Sequence, residues 1–255
     1  MTTSLRLGET EVTRIGLGTN RLSSTPEHVS FVQAAVAEGI DHIDTAHLYA
    51  GGESETTIGA GLSKSAPRPV VATKGGYQRG EGRPDVLRAQ IDESLHRLRA
   101  ETIALYYLHR VDPETPLEDS VGALKECQDA GKVRHVGISE VTIEQIERAR
   151  RIVPIAAVQN HYNVSERKHE EVVDHCAREG IVFVPYFPLR GDAPPALGRI
   201  AERHGATPSQ ITLAWLLRRS PVMLPIPGTL SLDHVQENLG ALDIELSDEE
   251  FQTLR

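Results

Sequence analysis

The chain has 255 residues, of which 39% are hydrophobic and 25% charged, which fits two small domains or one large α/β barrel and excludes a mini-domain. No stretch approaches the roughly 18 to 20 apolar residues that span a bilayer, and the net charge of −9 argues against a nucleic-acid partner while leaving room for a local basic pocket around a phosphorylated cofactor. The amino-terminal MTTSLRLGETEV has no basic region followed by an apolar run, and Cys127 and Cys176 lie in amphipathic helical patterns without a C-x-x-C neighbour, so a cytoplasmic protein with buried thiols is expected.

SLRLG and ETEV predict a short hairpin. Strands are then predicted at residues 14–17, 42–45, 70–73, 104–108, 133–138, 156–159, 182–186 and 223–225, each a short apolar run bounded by turn residues. The first helix, TPEHVSFVQAAVAEG, has Thr25 as N-cap, Pro26 in its first turn, Val29, Val32 and Val36 on one face and a stop at Gly39. SETTIGAGLSK, PDVLRAQIDESLHRLRA, PLEDSVGALKECQDAG, IEQIERARRIV, RKHEEVVDHCAREG, TPSQITLAWLLRR and SLDHVQENLGAL continue the alternation, with ALGRIAERHG as a small extra segment. Eight β-then-α units with short connections predict an α/β fold of one domain over residues 1–255. It is a (β/α)8 TIM barrel with a short N-terminal β-hairpin and two short extra helices, closed so that no sheet edge is left. An open doubly wound sheet is the rival; no G-x-G-x-x-G follows the first strand, where the chain reads GLGTN.

In a barrel of this kind the carboxyl ends of the strands share one rim, where active sites sit. Those ends carry Thr19 and Asn20, Asp44, Lys74, His109, Ser139 and Glu140, Gln159 and Asn160, Tyr186, and Gly228 with Thr229. Singly, Asp44 and Lys74 read as a structural ion pair and His109 as a core imidazole. Jointly, an Asp, a Lys and a His at three consecutive strand ends, with Tyr49 in the loop after the first, have no packing reason to assemble. A tyrosine hydroxyl, with an ordinary pKa near 10, donates a proton poorly at neutral pH unless a cation stabilises the phenolate. Lys74 supplies that cation, Asp44 keeps it charged, and His109 orients a carbonyl oxygen.

Such a site protonates a carbonyl oxygen but contains no hydride, so a cofactor must bring one. Ser139, Glu140, Gln159 and Asn160 can bond a carboxamide, Tyr186 offers a ring face, and Gly228 and Thr229 precede a helix whose amino end can receive a phosphate.

Over essentially its whole length the sequence resembles the aldo-keto reductases. GLGTN, GIDHIDTAHLYAGGESETTIG, VVATKGG, LYYLHRVD, GKVRHVGISE, VQNHYN, FVPYFPL, TPSQITLAWLLRRSP and IPGTLSLDHVQENLGAL carry the match in order and spacing. The resemblance implies a (β/α)8 reductase that prefers NADP(H), with NAD(H) as the alternative, acting on a small-molecule aldehyde or ketone through a tetrad of Asp44, Tyr49, Lys74 and His109. It further implies cofactor contacts from Thr19, Asn20 and Asp44, from Ser139, Glu140, Gln159 and Tyr186 around the nicotinamide, from Leu189 at the pyrophosphate, and from Gly228, Thr229, His234, Glu237 and Asn238 at the adenosine end. YFPL and the IPGT-to-ENL region are similar to short bacterial pyridoxal or pyridoxine reductases. The chain departs from the family where Ser-Asn is usual and Ser139-Glu140 stands, and where His234 replaces a common arginine. The sequence also stops soon after LSDEEFQTL, from which an open substrate mouth is expected.

Three other readings compete. A cofactor-holding sensor or interaction subunit needs the fold but no turnover. A Schiff-base enzyme needs a neutral Lys74, which Asp44 opposes. Metal-dependent hydrolysis finds neither H-E-x-x-H nor H-x-H at a strand end among the 11 histidines. No heptad pattern is sustained, so a monomer is expected.

Overall fold

The computed structural model describes residues 2–62, 68–192 and 194–254. Two antiparallel strands, β1 (Ser4–Leu7) and β2 (Thr10–Thr13), form the expected hairpin. Seven parallel strands follow in chain order: β3 (Leu17–Gly18), β4 (His42–Asp44), β5 (Val70–Gly75), β6 (Ile103–Leu108), β7 (Val133–Ser139), β8 (Ile155–Gln159) and β9 (Val182–Phe183). Eight helices lie between or after them as barrel cover: α1 (Pro26–Ala37), α2 (Glu53–Gly61), α3 (Pro84–Leu98), α4 (Leu117–Asp129), α5 (Ile143–Arg150), α6 (Glu170–Glu179), α8 (Pro208–Arg219) and α9 (Leu232–Gly240). The two short extra helices are α7 (Leu197–His204) and α10 (Asp248–Thr253). Residues 63 and 64 of the helix predicted at 54–64 lie outside the described residues. Among the described residues no helix is long and apolar enough to cross a membrane.

The predicted eighth strand, 223–225, is not a strand. Residues 222–228 nonetheless occupy its place, joining β9 on one side and β3 on the other through single bridges Phe183↔Met223 and Gly18↔Gly228. The Phe183 and Leu224 N–H groups exchange bonds with Val222 and Phe183 carbonyls at 2.8 and 2.9 Å, and Gly16 and Gly18 donate to the Pro225 and Pro227 carbonyls at 3.0 and 3.1 Å. Pro225 and Pro227 have no N–H to return, so the barrel closes through carbonyls alone on that side. Pro185 acts the same way on the predicted strand 182–186. Regular pairing stops at Phe183, and only the bridge His161↔Tyr186 continues it. Pairing of the first predicted strand, 14–17, with β4 begins only at Leu17↔Ile43, because Thr13 is held instead by the Asp41 carboxylate through its N–H and its hydroxyl, both at 2.9 Å.

Two layers of core result from the period-two alternation of each strand. Val70, Ala72, Leu105, Tyr107, Ala157, Val182, Val184, Leu224 and Ile226 fill the barrel interior, and Leu7 and Val12 of the hairpin plug its lower end. The side chains between them, such as Val71, Tyr106, Leu108, Ile138 and Val158, pack under the helices. Gly137 is small for a reason: a Cβ there would fall 2.4 Å from the Tyr107 ring, which lies across the barrel axis. On α1 the buried face is Phe31, Val32 and Ala35, with Val36 only partly covered, so the expected valine stripe is displaced toward the aromatic. Cys127 and Cys176 are buried free thiols, and burial raises both, Cys176 to about 12.

Candidate active site

Inward-facing positions at the upper end of neighbouring strands bring the ionisable residues together. Asp44 is the last residue of β4 and Lys74 the fifth of β5; both are buried, and Lys74 Nζ donates to Asp44 Oδ1 at 2.6 Å and to the Thr45 carbonyl at 2.7 Å. The second Asp44 oxygen accepts from Gln159 Nε2 at 2.8 Å. Burial disfavours a charged lysine, yet Asp44 and then Tyr49, each by charge and hydrogen bonding, hold the Lys74 ammonium above its ordinary pKa. An ammonium so held is not an amine nucleophile at neutral pH, which removes the basis of a Schiff-base reading.

The His109 N–H donates to the Gly75 carbonyl at 2.7 Å, so pairing of β5 and β6 runs one residue past both strands and delivers the imidazole beside Lys74. Burial, then the charges of Lys74 and Arg110, push its pKa down to about 2. The ring is therefore neutral at physiological pH, with Nδ1 buried and unpartnered among the described residues.

Tyr49 begins a short 3₁₀ turn, Tyr49–Gly52, in which Ala50, Gly51 and Gly52 all have left-handed backbones, with φ of 49°, 64° and 97°. Glycine suits position 52 because its φ of 97° is a conformation that residues with a Cβ rarely adopt. The turn swings the half-buried phenol back over the rim. Its ring centroid lies 5.1 Å from Lys74 Nζ and 6.2 Å from the His109 ring, nearly perpendicular to the latter.

A buried polar scaffold that the strand-end reading missed holds this corner. Ser54 bonds the hydroxyls of Thr19 at 3.0 Å and Thr45 at 2.8 Å. Thr73 donates to Glu55 at 2.6 Å, and Arg97 ties Glu55 and the His47 carbonyl at 3.3 and 3.2 Å. Two turns of sequence signal were present, since Ser54 and Glu55 open α2 just after the Tyr49 turn. Nothing in a periodic pattern says that they face inward.

A cavity of about 280 Å³ opens beside the tetrad. It is lined by Asp44 and Tyr49, by the strand ends Gly18, Thr19 and Asn20, by Tyr186 and Leu189, and by Gly228. Arg21 and Arg190 also line it, two loop cations absent from the strand-end set. Thr19 lines the cavity while its hydroxyl donates to the Asp44 carbonyl at 2.8 Å. His161 stacks on Tyr186, centroids 5.2 Å apart and 11° from parallel, and the Arg110 guanidinium lies 5.9 Å from the centroid of the same ring. Burial and then Glu140 raise the Tyr186 phenol to about 12, with Arg110 opposing.

Not every expected residue reaches the cavity. Ser139 and Gln159 are register partners at the rim. Glu140, next to them, has a left-handed backbone (φ 55°) and turns its carboxylate to the His161 N–H at 2.7 Å and to Lys168 at 3.4 Å. Hydrogen bonds from His169, His161 and Tyr186 overcome its partial burial and hold it well below the usual carboxylate range. Asn160 clasps the Val141 backbone at 2.8 and 3.1 Å. Thr229 accepts from the Ser231 N–H at 3.0 Å and contacts His234 at 3.3 Å, while Glu237 accepts from Thr207 at 2.5 Å. These, with buried Asn238, surround the first two turns of α9 outside the cavity lining.

A family model described as the aldo/keto reductase family matches residues 14–193 and 190–255. Pyridoxine 4-dehydrogenase of Escherichia coli strain K12 is 36% identical over 273 residues, covering 97% of this chain and 96% of that protein. The crystal structure of a thermostable aldo-keto reductase in complex with the inhibitor epalrestat matches with a TM-score of 0.91 at 31% identity, covering 99% of this chain and 98% of the other. An aldo/keto reductase of Klebsiella pneumoniae in complex with NADP and acetate matches with a TM-score of 0.90 at 28% identity, covering 100% and 94%.

Proposed function

The chain belongs to the aldo/keto reductase family and is an NADPH-dependent carbonyl oxidoreductase, and we propose that Asp44, Tyr49, Lys74 and His109 are the residues that carry its chemistry. The observation behind this assignment is the ion pair of Lys74 and Asp44 at 2.6 Å, fully buried, with the Tyr49 ring 5.1 Å from the ammonium.

In this reading Tyr49 gives its proton to the carbonyl oxygen. The Lys74 ammonium stabilises the negative charge that develops on the phenolic oxygen, and Asp44 keeps that ammonium charged in a site where burial alone would neutralise it. His109, neutral across the working range, orients the carbonyl by hydrogen bonding and leaves proton donation to the phenol. In the oxidative direction the same phenol accepts the proton.

NADPH supplies the hydride when bound. The groove fits such a group: Tyr186 contributes an aromatic wall, Arg21 and Arg190 supply positive charge for phosphates, and Gly228 leaves the wall low before the amino end of α9. In this reading Ser139 and Gln159 at the rim bind the carboxamide, Thr19, Asn20 and Leu189 meet the cofactor along the groove, and Thr229, His234, Glu237 and Asn238, outside the cavity lining around the start of α9, take the adenosine end. Glu140 acts on Tyr186 through their shared hydrogen bond. The relative's name puts pyridoxal among the first carbonyl compounds to try. A monomer in the cytoplasm suits the net charge of −9 and the two buried free thiols.

The test is NADPH oxidation with a panel of aldehydes by the parent and by Tyr49→Phe. The variant should lose roughly a hundredfold to ten-thousandfold in kcat while NADPH affinity, read by fluorescence quenching, stays within about threefold. Full turnover in the variant would remove Tyr49 from the mechanism. No turnover by the parent, with tight NADPH binding, would favour a cofactor-holding sensor.

A further inference from the structure

Immediately after His109 the chain places another cation. The Arg110 N–H donates to the Gly76 carbonyl at 3.1 Å, which anchors the side chain against the loop that carries Tyr77. That loop is well tied: the N–H groups of Tyr77 and Gln78 both donate to Glu81, at 3.0 and 2.8 Å, and those of Gly80 and Gly82 to Asp112, at 3.1 and 3.0 Å. The half-buried guanidinium then lies 5.6 Å from the Tyr77 ring centroid and 5.9 Å from that of Tyr186. Two π faces hold the fork in place without neutralising it. Tyr77 in turn packs on the His109 ring, centroids 4.8 Å apart, and is half exposed, so the group stands at the solvent side of the tetrad.

Among the described residues the charge has no ion-pair partner. Arg110 donates to its neighbour's carbonyl, His109 O, at 3.4 Å and opposes the rise of the Tyr186 pKa. Among the described residues no carboxylate lies within ion-pair distance of it. Glu140, on the far side of the Tyr186 phenol, is matched instead by Lys168 and His169. Nor is Arg110 needed for the cofactor groove, where Arg21 and Arg190 supply the positive charge and Arg110 takes no part in the lining. A planar fork of N–H donors, flanked by two aromatic rings and next in the chain to His109, is matched by a planar or tetrahedral oxyanion group.

We infer that Arg110 recognises a negatively charged group on the carbonyl substrate, so that the preferred substrates are aldehydes or ketones bearing a carboxylate or a phosphate. This rests on the carbonyl-reductase reading above.

The experiment compares kcat/KM for matched pairs: succinic semialdehyde against butanal for the carboxylate, and glycolaldehyde phosphate against glycolaldehyde for the phosphate. The parent should favour at least one anionic member by roughly tenfold to a hundredfold, mainly through KM. In Arg110→Gln the anionic-to-neutral ratio should fall toward one, and Arg110→Lys should recover part of it. Which pair shows the preference identifies the anion. A parent that turns over neutral aldehydes with no preference for either anionic partner overturns the inference and leaves the reductase reading intact. Equal losses for both members of each pair in Arg110→Gln also overturn it. If the parent reduces no carbonyl compound, calorimetric titration of succinate and of inorganic phosphate into the protein with NADP bound still decides the site. Weaker binding to Arg110→Gln supports it, and binding equal to the parent's, or absent from both, contradicts it.

Discussion

Among the described residues the barrel buries two cations, Lys74 and Arg14, one near each end, and treats them differently. Lys74, at the upper rim, is held by a carboxylate oxygen and one carbonyl. Arg14, at the closing seam, is just as buried but is met by carbonyls alone: Leu217 at 2.8 Å, Ser220 at 2.6 Å, Met223 at 3.3 Å and Thr2 at 3.1 Å. A guanidinium stays charged even where burial lowers its pKa, so carbonyl dipoles suffice, and its donors take the place that proline-rich residues 222–228 leave short of regular pairing. A lysine in the same surroundings would lose its proton. In the mechanism proposed above, the carboxylate beside Lys74 keeps the ammonium charged at the end of the barrel where charge is used in chemistry.

Five variants, one of them double, break or sharpen that contrast. Lys74→Met should cost the most, about a hundredfold or more in kcat together with roughly 3–5 kcal/mol of stability, since Asp44 is left buried without its cationic partner. Adding Asp44→Asn to it should restore much of the stability, read by urea unfolding, and none of the turnover. Arg14→Leu should show the opposite pattern: at least about 3 kcal/mol lost through unpaired buried carbonyls, a melting temperature lower by roughly 10 °C, and unchanged turnover per folded molecule. Glu140→Gln should lower the Tyr186 pKa from about 12, because the negative charge is among the groups that raise it; alkaline titration of tyrosinate absorbance reads the change. At His109 the effect is on the pH dependence of stability. Its pKa is depressed in the fold to about 2, so its unfolded form binds a proton below about pH 6.5 that the folded form refuses, and stability falls as pH drops below that point. His109→Asn should lose less stability than the parent between about pH 6 and pH 4.

The strand ends were legible because period-two alternation decides which residue faces inward. Lys74, His109, Gln159 and Tyr186 each follow a buried apolar or aromatic residue two positions earlier (Ala72, Tyr107, Ala157 and Val184), Asp44 follows the buried His42, and geometry needed only the closed sheet to bring them together. What failed was local backbone chemistry. Residues 222–228 look like a strand by hydrophobicity, yet two prolines withhold the donors, and Pro185 shortens β9 likewise. Cavity cations Arg21 and Arg190 sit in loops, where no periodicity gives side-chain direction. The hydroxyls of Thr45 and Ser54 and the Glu55–Arg97 pair read as ordinary loop and helix polarity until burial is known. Glu140 illustrates a further limit: its identity was plain, but a left-handed backbone turned its carboxylate toward residues 161–169.

The account depends on Asp44 keeping Lys74 charged, and the pH dependence of kcat/KM in Asp44→Asn tests that most directly. With the carboxylate, Lys74 is held above its ordinary value, so the parent should stay active well into the alkaline range. Without it, burial should dominate, the lysine should deprotonate at lower pH, and the alkaline limb should move toward neutrality with a loss of roughly a hundredfold in rate at pH 8. An Asp44→Asn enzyme with the parent's rate and an unmoved alkaline limb would contradict the account.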